Sequence, residues 1–136
     1  MSTTAQLDHL ILRVNDLDAS LRFYTELMGF ESEGCSGPFA SVRVGPSCLL
    51  QLAPWGTEGG EHYAFALDGP HFEAVLGRVL AAGLDHGPSF DAVGSNRGPG
   101  TEVGARGPAP TLYFFDPNRH LIEIRTYAPT AAGLPS

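Results

Sequence analysis

The chain has 136 residues, a length typical of one compact domain that buries about two-thirds of its unfolded surface. Hydrophobic residues make up 43% of the sequence and charged residues 17%, which excludes general disorder. Eight Lys and Arg against 15 Asp and Glu give a formal net charge of −7, which disfavours nucleic acid and anionic membranes as partners.

Two further features bear on location. No apolar run approaches the roughly 18 residues of a membrane span, and residues 1–6 lack the basic and apolar regions of a signal peptide. Cys35 and Cys48 form no CxxC pair, so we expect reduced, buried thiols. The sequence therefore predicts a cytoplasmic protein.

The sequence contains an internal repeat. His9 aligns with His62 at an offset of 53 residues, and each His follows an acidic residue and opens an apolar stretch that ends at a polar residue. Each apolar stretch has the pattern of a β-strand, and each is followed by a segment whose apolar residues recur at helical spacing.

In the first copy, a strand at 8–15 is followed by a helix that Asp16 caps and Gly29 ends. Its apolar face consists of residues at helical spacing: Leu17, Leu21, Tyr24 and Met28. Strands are then predicted at 39–44 and 48–52.

In the second copy, Asp68 caps the helix, Pro70 suits its first turn and Gly83 ends it. The matching apolar face consists of Phe72, Val75, Leu76, Val79 and Leu80. Strands are predicted at 112–115 and 121–125, with a weaker candidate at 88–93.

The closing strands, 49–52 and 121–124, align at an offset of 72, so the second copy carries 19 additional residues. Most of them fall in the Gly- and Pro-rich segment 94–110, which predicts a long surface loop. The whole pattern predicts one α+β domain over 1–136, built from βαβββ modules at about 5–54 and 60–128.

Strand alternation places four polar side chains on corresponding faces of the two modules: His9, Gln51, His62 and Glu123. Two imidazoles and a carboxylate suit one divalent ion of Fe, Mn, Co, Ni or Zn, and three protein ligands leave positions open for substrate. Gln51 is either a weak fourth ligand or a hydrogen-bond donor to the ligands. Taken singly, each His also fits a hydrogen-bonded strand residue, and Glu123 fits the polar face of an edge strand.

These residues lie in stretches that resemble the vicinal oxygen chelate superfamily, which includes glyoxalase I, fosfomycin-resistance proteins, extradiol dioxygenases and bleomycin-resistance proteins. The matching stretches are 7–14, 23–30, 61–65 and 113–124. The resemblance implies a mixed-sheet cup around one divalent metal, with His9, His62 and Glu123 as ligands and Gln51 at the fourth position. It also implies a homodimer and a small-molecule substrate.

Two departures from the relatives bear on the reaction type. Glyoxalase I often carries Glu at the fourth position. Gln51 therefore weakens the hypothesis of an isomerase that needs a carboxylate to move a proton. Tyr113 lies ten residues before Glu123, as a Tyr does in extradiol dioxygenases, but Gly104 stands where those enzymes place a paired His. Glu123 and Tyr113 are nevertheless the catalytic candidates.

The expected substrate pocket includes Arg13, Phe115 and Arg125. The two arginines share strand faces with His9 and Glu123, and each either meets an anionic substrate or faces solvent. Four aromatic residues are expected either to line the cup or to be ordinary core residues: Tyr113, Phe115, Phe39 and Trp55. Arg97 and Arg106 in the long loop either close on substrate or are solvated, and the solvated state is favoured. The other three His (His71, His86 and His120) are left out of the site.

The sequence thus predicts a metal-dependent enzyme that acts on a small oxygen-rich substrate. Lyase or isomerase chemistry is slightly favoured over ring-cleaving dioxygenation. The alternative is a non-catalytic protein that binds a drug or metabolite, as bleomycin-resistance proteins do.

Overall fold

The computed structural model describes residues 5–127, which divide into two compact units between Glu58 and Gly59. The outer limits of the expected domain, 1–4 and 128–136, and with them the last residue of the second expected module, lie outside the described residues. Each unit contains one helical region and one mixed sheet, so the predicted α+β fold is confirmed.

The first unit has βαβββ order. Its elements are β1 (His9–Arg13), α1 (Leu17–Arg22), β2 (Glu31–Ser36), β3 (Phe39–Gly45) and β4 (Cys48–Ala53). The sheet has the order β1-β4-β3-β2, in which β1 runs parallel to β4 and the other pairs are antiparallel. A π-helical turn at Phe23–Leu27 continues α1.

Local sequence signals set the limits of this helical region. The backbone N–H of Ala19 donates to Oδ1 of Asp16 (3.1 Å), as expected of an N-cap. Gly29 takes a left-handed φ of 76° at the end. Of the predicted apolar face, Tyr24 and Met28 are fully buried. The capping and termination predictions are confirmed.

The second unit contains one strand more than predicted. Its elements are β5 (His62–Ala66), α2 (Gly69–Ala82), β6 (His86–Gly87), β7 (Gly100–Gly104), β8 (Gly107–Phe115) and β9 (Leu121–Arg125). The sheet has the order β5-β9-β8-β6, with β7 also paired to β8, and β5 runs parallel to β9.

The predicted limits of α2 are confirmed. The backbone N–H of His71 donates to Oδ1 of Asp68 (2.8 Å), and Gly83 ends the helix with a φ of 67°. The buried face contains Phe72, Val75 and Val79. Leu80, which the periodicity placed on that face, is 56% exposed.

The segment 94–110 is not the loop that its composition predicted. β7 and the first part of β8 form a hairpin in which Gly104 pairs with Gly107, and the latter has a φ of 102°. Backbone hydrogen bonds form this hairpin without the apolar alternation on which strand prediction depends. β2 was missed for the same reason, because all of its residues are exposed. The candidate strand at 88–93 was wrong, and the short β6 lies just before it.

Two further observations concern the helices and the cysteines. Within residues 5–127, no helix is long and apolar enough to cross a membrane. Both cysteines are free, as expected, but the prediction of burial was wrong: Cys35 is exposed on β2 and Cys48 is half-buried at the start of β4.

Candidate metal and substrate site

Strand register reproduces the internal repeat in three dimensions. In the first unit, Ile11 of β1 pairs with Gln51 of β4, two residues beyond His9. In the second unit, Ala64 of β5 pairs with Glu123 of β9, two residues beyond His62. Gln51 and Glu123 therefore occupy equivalent positions, each diagonal to the His of its own unit.

His62 and Glu123 are in direct contact. Nε2 of His62 lies 3.0 Å from Oε1 of Glu123. The Glu123 side chain is only 7% exposed, whereas that of His62 is 47% exposed. The pair thus joins a buried carboxylate to an imidazole that solvent, and a small ligand, can reach.

Arg125 holds the other oxygen of this carboxylate. Its guanidinium donates to Oε2 of Glu123 at 2.6 Å, and both side chains are buried. The same guanidinium donates to the backbone carbonyls of Glu102 (2.8 Å) and Gly107 (3.2 Å). Burial alone would lower the pKa of Arg125, but the hydrogen bond with Glu123 and the nearby Tyr127 raise it above its usual value. Arg125 therefore remains charged and ties Glu123 to the β7–β8 hairpin.

Tyr113 lies beside the same carboxylate. It pairs with Glu123 across β8 and β9, and its ring centroid is 5.9 Å from that of His62. Burial, then the negative charge of Glu123 and a hydrogen bond with it, raise the pKa of Tyr113 well above its ordinary value. The phenol therefore keeps its proton beside the carboxylate at neutral pH.

A cavity of about 310 Å³ opens on this cluster. Its lining combines small or apolar side chains with two arginines, a carboxylate and a phenol: Ala64, Ala66, Val103, Gly104, Ala105, Arg106, Glu123, Arg125 and Tyr127. The volume is at the lower end of the range for small-molecule sites, about 300–1,000 Å³.

The first unit presents its own polar face. Nδ1 of His9 lies 2.8 Å from Asp8, and the His9 side chain is 51% exposed. Arg13 donates through Nε to the carbonyl of Gly56 (3.1 Å), and its guanidinium lies 5.5 Å from the ring centroid of Trp55. The edge of Phe39 meets Trp55 at a centroid distance of 5.5 Å. Arg13 is therefore held in place within its own unit.

The predicted site residues are thus divided between the two units. His62, Tyr113, Glu123 and Arg125 converge in the second unit, and Phe115 shares their sheet face with 38% exposure. His9, Arg13 and Gln51 belong to the first unit. Over residues 5–127, no three His, Cys, Asp or Glu side chains are grouped closely enough to hold a metal ion.

The donor chemistry of the second unit fits part of a metal site. Two donors bound to one ion at about 2.0–2.2 Å, at a right angle, lie about 3 Å apart. Nε2 of His62 and Oε1 of Glu123 have this separation, 3.0 Å. Arg125 donates to the other oxygen, Oε2, which leaves Oε1 directed at His62. His62 and Glu123 are therefore suitable as two adjacent ligands of a divalent ion.

Sequence reasoning did not identify the hairpin residues that complete this cluster. Arg106 and Gly104 had been assigned to a long loop, and Tyr127 lies beyond the last matching stretch, 113–124. The available signal was the spacing of Gly104 and Gly107, because two residues between glycines suit a tight hairpin turn.

A model of the Glyoxalase/Bleomycin resistance protein/Dioxygenase superfamily matches residues 6–124. The match covers most of the chain, which therefore belongs to this superfamily. The fold and the repeated register of the two units agree with that membership.

Among known proteins, the chain is similar to a virulence protein of Salmonella typhimurium strain LT2. The two are 27% identical over 90% of this chain and 84% of that protein. Among solved structures, the oxidase ChaP-H2 is 31% identical over 91% of this chain and 94% of its own, with a TM-score of 0.75. The fosfomycin resistance protein FosX of Mesorhizobium loti is 19% identical with a TM-score of 0.64 over 96% of this chain and 98% of its own, a likeness of fold.

Proposed function

We propose that this chain is a divalent-metal-dependent enzyme that acts on a small oxygen-rich substrate. The proposed ligands are His9, His62 and Glu123, with Gln51 as a weak fourth ligand or a hydrogen-bond donor to them. The observation that carries the proposal is the contact of 3.0 Å between His62 and the buried Glu123. Membership of a superfamily that contains metalloenzymes supports it.

The side chains of the second unit have distinct roles in this proposal. A bound divalent ion would act as a Lewis acid: two neighbouring substrate oxygens would chelate it, and it would stabilise negative charge on them. Glu123 is oriented by Arg125, and Tyr113 holds its proton beside the same carboxylate. The exposed side of His62 and the adjoining cavity leave room for the substrate.

The surroundings of Glu123 bear on the type of reaction. An isomerase needs a base to move a proton, but one oxygen of Glu123 is occupied by Arg125 and the other faces His62. Similarity to an oxidase at 31% identity also supports oxygen-dependent chemistry. We therefore favour dioxygenation over the lyase or isomerase chemistry that the sequence slightly favoured. Dioxygen would be the oxidant, and both of its atoms would enter the substrate as the O–O bond and one carbon–carbon bond break.

Metal content measured by elemental mass spectrometry tests the proposal. The protein is purified without an affinity tag under anaerobic conditions, beside His9→Ala, His62→Ala and Glu123→Ala. His71→Ala, on helix α2, is the matched control. We expect near-stoichiometric metal in the parent and the control, and loss in the three variants.

The identity of the ion and the response to oxygen separate the reaction types. Iron together with oxygen consumption on addition of catechol-type substrates supports dioxygenation, whereas nickel, zinc or manganese without oxygen consumption supports isomerisation or addition. If the parent stays empty after incubation with Fe(II), Mn(II), Ni(II) and Zn(II), the metal proposal fails. The metal-free drug- or metabolite-binding function then replaces it.

The proposal extends to assembly and location. We propose a cytoplasmic protein, which agrees with the formal net charge of −7 and the free thiols, and a homodimer, which agrees with the dimers often formed in the superfamily. Light scattering coupled to size-exclusion chromatography tests the dimer, and elution at the monomer mass at micromolar concentration would contradict it.

A further inference from the structure

We propose that Arg106, held against the ring of Tyr127, forms a subsite for the carboxylate of a small anionic substrate in the cavity beside Glu123. This inference rests on the proposed function, because the carboxylic acid is taken to be the substrate of that site. It adds the chemical class of the substrate and the residue that selects it.

Arg106 is a cation at the cavity without an acidic partner. It lies in the turn between β7 and β8, where its backbone N–H donates to the hydroxyl of Tyr127 (3.2 Å). Its guanidinium lies over the Tyr127 ring at 4.2 Å from the centroid. Within residues 5–127, no carboxylate forms an ion pair with it. The ring orients the guanidinium and leaves its charge uncompensated.

The other charges of the cavity cancel. Glu123 and Arg125, which both line it, form a hydrogen-bonded ion pair at 2.6 Å. The charge of Arg106 is therefore the excess charge of the lining, in a chain whose formal net charge is −7. A local positive excess of this kind attracts an anion.

The shape of the cavity limits the anion to a small one. Short side chains on β5 and the hairpin, Ala64, Ala66 and Ala105, leave a volume of about 310 Å³. A guanidinium is planar and binds a carboxylate through two parallel hydrogen bonds. A carboxylate on Arg106 directs the rest of the molecule towards Glu123, where the proposed chemistry takes place.

Fluorine NMR tests this proposal on metal-free protein. The probes are 4-fluorobenzoate and 4-fluorobenzamide, which have nearly the same shape and differ in charge. The parent is compared with Arg106→Gln and with Arg97→Gln, which removes the same charge from an exposed position outside the cavity lining. We expect millimolar binding of the acid, and at least about tenfold weaker binding of the amide, by loss of a charge-assisted contact.

The variants decide whether the carboxylate is read by Arg106. Arg106→Gln is expected to weaken binding of the acid by about tenfold or more, while Arg97→Gln leaves it within about twofold. Three outcomes would each overturn the proposal. They are equal binding of acid and amide, equal losses of affinity in both variants, and no binding of the acid when it is present at about 10 mM, in about 20-fold molar excess over the protein. Because the assay contains no metal, carboxylate binding can succeed where metal binding fails, and the reverse.

Discussion

Glu123 and Arg125 lie two residues apart on one face of β9, and their side chains form a hydrogen bond of 2.6 Å. Alternation along a strand places residues i and i+2 side by side, so this pair follows directly from the sequence spacing. Both side chains are at least nine-tenths buried, with exposures of 5% for Arg125 and 7% for Glu123. Each charge is thus compensated chiefly by the other.

The first prediction concerns this ion pair. Arg125→Gln leaves the Glu123 carboxylate buried without a cation, so we expect the free energy of unfolding to fall by about 3–5 kcal/mol. Arg43→Gln is the matched control, because Arg43 pairs with Glu33 at the surface and such pairs contribute about 1 kcal/mol or less. Urea denaturation measures both. Equal losses in the two variants would contradict the importance of burial, and the double variant Glu123→Leu/Arg125→Met should recover much of the loss.

The second prediction concerns the close approach of β7 to Arg125. A Cβ added at Gly104 would lie 2.7 Å from Nε of Arg125 and closer still to its Cζ and to the hydroxyl of Tyr127. We expect Gly104→Ala to lower the free energy of unfolding by about 1–3 kcal/mol, because the guanidinium must move away from Glu123. Gly77→Ala, at an open position of α2, should instead stabilise the protein by about 0.5–1 kcal/mol. Thermal unfolding of both variants checks the contrast, and unchanged stability in Gly104→Ala would refute it.

The third prediction concerns stability at alkaline pH. Burial and Glu123 raise the pKa of Tyr113 above the ordinary 10.0, so the folded chain keeps a proton that the unfolded chain loses. Stability therefore falls as pH rises through about 10, by at most about 1.4 kcal/mol per pH unit for this group. Tyr113→Phe should flatten this decline.

Tyr63→Phe provides the comparison for this measurement. The pKa of Tyr63 is raised too, by burial and then by Glu61, but Tyr63 is only half-buried. We expect Tyr63→Phe to flatten the decline less than Tyr113→Phe. Urea denaturation at intervals from pH 8 to 11 compares the slopes, and identical slopes for the parent and Tyr113→Phe would show that this phenol does not contribute.

Local sequence signals predicted much of the fold. Asp16 and Asp68 cap the two helices as expected, because a short acidic side chain can satisfy the first free N–H groups without help from distant residues. The limits of β9 matched the prediction, since its apolar residues contrast with the turn before it. Signals that depend on adjacent residues were therefore reliable.

Features that depend on distant partners could not be predicted. Alternation placed Arg125 on the face of Glu123, but whether it met a substrate or solvent was left open. In the structure, Arg125 is buried and donates hydrogen bonds to backbone carbonyls of the β7–β8 hairpin. That hairpin is held by backbone pairing, and its many glycines and prolines give no strand pattern in the sequence. Because β7 could not be predicted, the burial of Arg125 against it could not be predicted either.

The last prediction concerns His120, which positions the start of β5. Its ring is 1% exposed, and Nδ1 accepts a hydrogen bond from the backbone N–H of Glu61 (3.2 Å), the residue before His62. The backbone N–H of Leu121 donates in turn to the carbonyl of Glu61 (2.8 Å), which aligns β5 with β9. His120 thereby helps to set the register that brings His62 into contact with Glu123.

We expect His120→Leu to lower the free energy of unfolding by about 0.5–1.5 kcal/mol, because it removes the acceptor of the part-buried hydrogen bond from the Glu61 N–H. His120→Asn offers a carbonyl oxygen in the place of Nδ1 and should retain part of the lost stability. Hydrogen exchange at the Glu61 amide distinguishes this role from simple packing: exchange should accelerate in His120→Leu and remain slower in His120→Asn. Equal exchange rates in the two variants would show that the ring contributes only its volume.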